Sequence, residues 1–181
     1  RVDILVNNAG GARFLSDPEN IREDGWDKGI NLNLKSVFLF SQAIGRAMIE
    51  QGSGKIINVT SVTGIDPATG GEIAYYAAAK AGANALTRAL ATAWAPKGIY
   101  VNAIAAGGVE TSLSERRREG RKKLGLPPED APIYPKHKPP YGSGRGEPED
   151  LVPLAIFLAS SASDFITGEI IGPGEVACQR T

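Results

Sequence analysis

The amino-acid sequence predicts an α/β fold, a doubly wound parallel sheet with helices on both faces. Three observations carry this. A short apolar run occurs at Ile4-Leu5-Val6, and segments from Lys55 to Ser61 and from Ile99 to Ala105 read as two further buried strands. None of them shows the alternation of a half-exposed strand, so each suits a strand buried on both faces of a parallel sheet. Between the runs lie segments with helical periodicity, and strands that alternate with helices argue for parallel crossovers.

In chain order, the first run is broken at once by Asn7-Asn8-Ala9-Gly10-Gly11. From Asp24 onward, Trp26, Ile30, Leu34, Val37, Phe38 and Ile44 recur at helical spacing. That pattern predicts one long helix to about Ile49, closed near Gly52-Ser53-Gly54. Lys55 to Ser61 is the second strand, followed by a loop from Gly64 to Gly71 that holds Pro67. The alanine-rich stretch from Tyr75 to Trp94 predicts a helix, because alanine has the best intrinsic helix propensity. Pro96 and Gly98 close it, and the third strand runs from Ile99 to Ala105 until Gly107-Gly108. Glu149 to Ser160 reads as a short helix with Pro153 tolerated in its first turn. Ile166 to Ile171 reads as the last strand. Ligands of such sheets bind beyond the carboxyl ends of the strands. Here those ends carry Asn7 to Gly10, Ser61, and Gly107 to Thr111.

Composition bounds the function. The chain has 181 residues, 42% hydrophobic and 22% charged, which suits one globular domain spanning 1–181. Twenty Lys and Arg balance twenty Asp and Glu, so net charge supports neither a nucleic-acid nor a membrane-surface partner. No apolar stretch reaches the roughly 18 residues of a membrane helix. The single Cys178 cannot close an internal disulfide, which favours a reducing, cytoplasmic setting. One Cys and one His (His137) cannot build a Cys/His zinc site, and no metal is expected. The zero balance conceals two parts. Residues 111–147 hold nine Lys/Arg and five Asp/Glu, so that segment is +4 and the remainder −4. Eight of the twelve prolines fall between Pro127 and Pro153. The basic run from Arg116 to Lys123 lacks interleaved aromatics, so a solvated helix on a lid is favoured over a nucleic-acid-reading one.

Tyr76 and Lys80 stand four apart at the start of the alanine-rich helix, which puts both side chains on one face. A free phenol has a pKa of about 10 and is a poor base at neutral pH. A neighbouring ammonium favours phenolate, giving a group that can take a proton from an alcohol or give one to a carbonyl. Taken alone, such a pair is more often a surface contact. Ser61 adds weight, because it sits at a strand tip fifteen residues before Tyr76, with a loop between. Ser61 also reads as an ordinary strand-end turn or cap, and Asn33 as a mid-helix Asn bonding a nearby carbonyl.

Asn7-Asn8-Ala9-Gly10, Asn33, Ser61, Tyr76-x-x-x-Lys80 and the stretch from Asn102 to Thr111 follow one another as in the short-chain dehydrogenase/reductase family, which the chain resembles over residues 1–172. The resemblance implies a Rossmann-like sheet and an NAD or NADP cofactor carrying the hydride. Tyr76 then looks like the general acid/base, Lys80 like its pKa modulator and a partner of the nicotinamide ribose. Ser61 would hold the substrate oxygen, and Asn33 would bend the long helix and hold a water in a proton relay. Tyr75 is a decoy, because its partner four residues on is Ala79. Asn8, Ala9 and Gly10 would pass near the cofactor, with Gly107, Val109 and Thr111 near its nicotinamide. Residues 112–147 correspond to the substrate loop, and their charge suggests a semi-rigid lid over an anionic or bulky substrate. The implied substrate is a small alcohol or carbonyl compound, and the implied assembly a homodimer or homotetramer.

Two departures bear on completeness. The family's Thr-Gly-x-x-x-Gly-x-Gly fingerprint does not occur, and Gly142-Ser143-Gly144-Arg145-Gly146 lies in the wrong place for it. Three strand–helix units precede Asn-Asn-Ala-Gly in the family, so roughly 80–90 residues are expected to be lacking. The chain is therefore expected to hold only the C-terminal portion of the sheet, strands four to seven. The competing reading is a non-catalytic relative or fragment that serves as an interaction module.

Overall fold

The computed structural model describes residues 1–66, 71–109, 111–126 and 147–172. His137, the glycine run from Gly142, the lid residues 127–146 and Cys178 lie outside them. Four strands form one sheet in the order β1 (Ile4–Asn7), β2 (Gly54–Ser61), β3 (Ile99–Ala106) and β4 (Ile170–Ile171), every neighbouring pair parallel. Register runs from Ile4 opposite Lys55 to Asn7 opposite Asn58, and from Gly54 opposite Ile99 to Ser61 opposite Ala106. The strand tips carrying Asn7 and Ser61 thus point to the same edge.

Successive residues of a strand face opposite sides, and here both sides are covered. Ile56, Ile99 and Val101 pack with Met48 and Ala91 of helices α2 (Ser36–Gln51) and α3 (Ala74–Trp94). Ile57 and Ile104 pack with Leu158 of α5 (Val152–Ala159) on the other side. The expected doubly wound parallel sheet is therefore present. β1 has a neighbour on one edge only among the described residues. Its Ile4 and Val6 are 46% and 50% exposed.

The long helix expected from Asp24 is interrupted. α1 (Glu23–Ile30) passes through a π-helical turn, Asn31–Lys35, before α2 begins. Asn33 Nδ2 donates to the Gly29 carbonyl at 2.9 Å and Ser36 Oγ to the Leu32 carbonyl at 2.6 Å, so side chains compete for the helical acceptors. α2 ends at Gly52 and α3 runs into a short turn ending at Gly98, both with positive φ. Gly98 has a second reason to be glycine, since a Cβ there would lie 2.3 Å from the Gly52 carbonyl oxygen.

The last strand is shorter than expected, two residues in place of six. Residues 166–169 are held on β3 by two backbone bonds, Gly168 amide to Val101 carbonyl and Ala103 amide to Glu169 carbonyl, both 2.8 Å, and by side chains. Asn102 donates to the Ile166 carbonyl at 3.0 Å and accepts from the Glu169 amide at 3.1 Å, while Thr167 Oγ1 accepts from the Val101 amide at 3.0 Å. The basic run forms α4 (Ser112–Lys123), capped by Thr111.

A buried polar chain crosses the sheet. Asn7 Nδ2 donates to Ser41 Oγ at 3.0 Å and to Asn58 Oδ1 at 2.8 Å. Asn58 Nδ2 donates to Thr87 Oγ1 at 2.9 Å, which donates to the Ala83 carbonyl at 2.8 Å. It joins α2, β1, β2 and α3 through residues that are all buried. Replacing Asn58 with Ala strands donors and acceptors on both sides. We expect Asn58→Ala to lose roughly 2–4 kcal/mol in urea denaturation, while exposed Thr92→Ala changes stability by under about 0.5 kcal/mol.

Candidate active site

The residues singled out in the sequence collect at the carboxyl edge of the sheet. Asn8, Ala9 and Gly10 follow β1 and are exposed. Ser61 ends β2 and is buried. Gly107 and Val109 follow β3 and are half-buried, and Thr111 caps α4.

Lys80 is the buried cation of the group. It is 4% exposed, and its Nζ donates to the Val59 carbonyl at 2.8 Å. Burial disfavours the charged form and pushes its pKa down to about 8. At neutral pH it still carries its proton. The ammonium lies 5.6 Å from the centroid of the Tyr76 ring, so the four-residue spacing does bring the two together. Two glycines make room. A Cβ on Gly10 would stand 3.3 Å from Lys80 Nζ and 2.7 Å from Asn33 Oδ1. A Cβ on Gly64 would stand 2.6 Å from the Lys80 backbone carbon. The turn after β2 therefore rests directly on α3.

Asn33 is fully buried and uses its amide on both sides. Oδ1 accepts from the Gly11 amide at 2.7 Å, and Nδ2 donates to the Gly11 carbonyl at 3.1 Å as well as to Gly29. It thereby fixes the loop after β1 against the π turn and, through Gly10, against Lys80. Ser61 Oγ accepts from the Thr63 amide at 3.2 Å, which leaves the hydroxyl its own proton to donate. Thr111 Oγ1 accepts from the Ser114 amide at 3.2 Å in a capping box, a helix-starting role that the motif reading did not anticipate.

Tyr75 and Tyr76 diverge. Tyr75 is buried and stacks on Phe14 with centroids 4.3 Å apart, its hydroxyl donating to the Phe14 carbonyl at 3.0 Å and accepting from the Phe14 amide at 3.2 Å. Gly29 is the space it occupies, since a Cβ there would lie 2.1 Å from Tyr75 Cδ2. Sequence reasoning missed Gly11, Phe14 and Glu72. The adjacent glycines 10 and 11 hinted at a close approach. Nothing marked Glu72, whose carboxylate pairs with Arg121 of α4.

The lowered pKa has a consequence for stability. Between pH 8 and the ordinary lysine value of 10.5, the unfolded chain binds more protons at this position than the folded one. Stability due to the group therefore rises with pH across that window and is flat below it. Relative to Lys80→Met, the wild type should gain roughly 3 kcal/mol of unfolding free energy across that window, read by urea denaturation. A pH-independent difference between the two would contradict the burial.

Comparison with known proteins places the chain in a family. The profile of the short chain dehydrogenase family matches residues 1–122. The chain is 39% identical over 172 residues to a 3-oxoacyl-acyl-carrier-protein reductase of Thermotoga maritima, covering 95% of this chain and 64% of that protein. It is 40% identical over 173 residues to a 2-dehydro-3-deoxy-D-gluconate 5-dehydrogenase of Dickeya dadantii, covering 94% and 63%. Among solved structures, a gluconate 5-dehydrogenase from Burkholderia cenocepacia in complex with NADP and tartrate superposes with a TM-score of 0.76 at 38% identity, covering 94% of this chain and 62% of that one. Levodione reductase superposes with a TM-score of 0.84 at 30% identity, covering 95% and 65%. The chain thus spans less than two thirds of the length of the curated relatives it matches. A profile match over residues 1–122 of 181 and a Rossmann-like parallel sheet with close structural counterparts lead to one conclusion: the chain belongs to the short chain dehydrogenase family.

Proposed function

We propose that the chain carries the proton-transfer part of an NAD(P)-dependent oxidoreductase acting on a secondary alcohol or ketone. The observation that carries this reading is the buried ammonium of Lys80 beside the Tyr76 ring. Burying a cation is unfavourable unless something nearby uses it, and a non-catalytic interaction module has no need of it.

Tyr76 is the general acid/base. In the reducing direction the hydroxyls of Ser61 and Tyr76 donate to the substrate carbonyl oxygen, and Tyr76 gives up its proton to it. In the oxidising direction the Tyr76 phenolate takes the alcohol proton. Lys80 favours that phenolate electrostatically, and Asn33 keeps Gly10 and Gly11 seated over Lys80. The nicotinamide cofactor, NAD or NADP, supplies the hydride chemistry when bound. Asn8, Ala9 and Gly10 would hold it from the β1 tip, Gly107, Val109 and Thr111 from the β3 tip, with Tyr76 and Lys80 toward its ribose. The exposed β1 tip fits a group lying against this edge.

The same reading takes 1–181 as one partial Rossmann-type domain, with 112–147 as a substrate-loop insertion. β1 then corresponds to the fourth strand of a seven-stranded sheet whose glycine-rich part is not in this chain. Exposed Ile4 and Val6 support that, because an inner strand would bury them. The whole protein is read as a cytoplasmic homodimer or homotetramer.

In the full-length protein, Tyr76→Phe should lower turnover by about 10²–10⁴-fold with dinucleotide binding retained, followed by the absorbance of reduced nicotinamide. Tyr75→Phe should lose roughly 1–3 kcal/mol of stability and keep most of its turnover. Undiminished activity in Tyr76→Phe would sink the proton-transfer role. The 181-residue polypeptide expressed alone is expected to be poorly soluble and to bind no dinucleotide. Tight NADH binding by a soluble product of this length, measured by fluorescence titration, would overturn the partial-domain reading.

A further inference from the structure

The loop after β1 and helix α4 line an open cleft of ≈ 500 Å³, a size that suits a small molecule. Its lining includes Gly10, the residue seated against Lys80 and Asn33, and this is where the cleft meets the proton-transfer residues. The cleft is a built feature. Gly120 of α4 sits where a Cβ would meet Leu15 Cδ1 at 2.9 Å, so the helix lies directly on the loop. The backbone carbonyl of Glu72 accepts from the Ser16 amide at 3.0 Å while its carboxylate pairs with Arg121. Loop and helix are thereby tied to one residue.

The charge of this cleft is one-sided. Arg13 lines it from the loop, and Arg116 and Lys123 line it from α4. Arg116, Gly120 and Lys123 are spaced i, i+4, i+7, a single stripe of the helix. The acidic residues of α4, Glu115 and Glu119, are not among the lining residues. Among the described residues no ion pair involves Arg13, Arg116 or Lys123. Like charges gathered around a concave surface raise the local concentration of anions.

We propose that this cleft is the anion-binding end of the substrate site, and that the substrate is a small hydroxy or oxo acid held there by its carboxylate. The proposal rests on the oxidoreductase reading for the reacting end of the substrate. Arg116 and Lys123 engage the carboxylate from the helix and Arg13 from the loop. The hydroxyl or carbonyl carbon extends past Gly10 toward Tyr76.

The test measures binding without turnover, so that it does not depend on the reaction. L-malate, D-threonate and 4-oxopentanoate, each against its uncharged methyl ester, are titrated into the full-length protein with thermal shift and calorimetry as readouts. We expect at least one acid to bind tenfold or more tightly than its ester. In Arg116→Gln/Lys123→Gln, and separately in Arg13→Gln on the opposite wall, that preference should fall by about 10–100-fold, the scale of a hydrogen bond to a charged group. Ester and dinucleotide affinities should stay unchanged. Arg116→Lys/Lys123→Arg, which keeps the charge, should retain the preference. Equal affinity for every acid and ester, or a preference that survives both neutral variants, would overturn the proposal. So would a tenfold loss of dinucleotide binding in the neutral variants, because the anion held would then be a cofactor phosphate. Selective acid binding by a protein that oxidises or reduces none of these compounds would leave the cleft assigned and overturn the reaction instead.

Discussion

Much of this structure answers to one requirement, keeping the Lys80 ammonium out of water and in place. A cation inside a protein needs an oxygen to face, and the Val59 carbonyl provides it from the last turn of residues in β2. β1 pairs with β2 only as far as Asn58, one residue before Val59, and beyond the strand the chain turns over Lys80 through Gly64. On the other side Gly10 closes the space, and Asn33 fixes the neighbouring Gly11 by two hydrogen bonds. Each contribution is small. Together they set the position of a charge that would otherwise move into solvent.

The interruption of the first long helix follows from the same requirement. Asn33 can reach Gly11 only if its side chain turns inward, and the π-helical turn at Asn31–Lys35 gives the local rotation that allows this. The turn does not stand alone, since Tyr75 fills the room left by Gly29 one turn earlier. Two adjacent tyrosines thus divide their work. One anchors the loop that follows β1 through Phe14, and the other stands beside the ammonium.

How far this could be read from sequence depended on whether the cause was local. β2, β3 and α3 were legible because short strand segments bounded by glycines and a long alanine-rich helix declare themselves within a few residues. Tyr76 and Lys80 were legible as a pair for the same reason, four residues being one helical turn. The π turn was not legible in the hydrophobic pattern, since Asn33 finds its partner at Gly11, twenty-two residues away, which no local pattern encodes. The truncated β4 was missed because Asn102, on another strand, takes up the Ile166 carbonyl and the Glu169 amide in place of a regular ladder. The basic run was recognised as a helix, but its faces could not be told apart. Which cations line the cleft depends on how α4 docks, and that is set by Gly120 against Leu15 and Arg121 on Glu72.

Glu72 belongs to the short turn that leads into α3, four residues before Tyr76. It is bound to the β1 loop through its carbonyl and to α4 through its carboxylate. The start of α3, the loop after β1 and α4 thus share one residue as their common tie. Removing its carboxylate would free α4 from that tie and leave the backbone bond to the loop in place, so the two attachments can be separated by a single substitution.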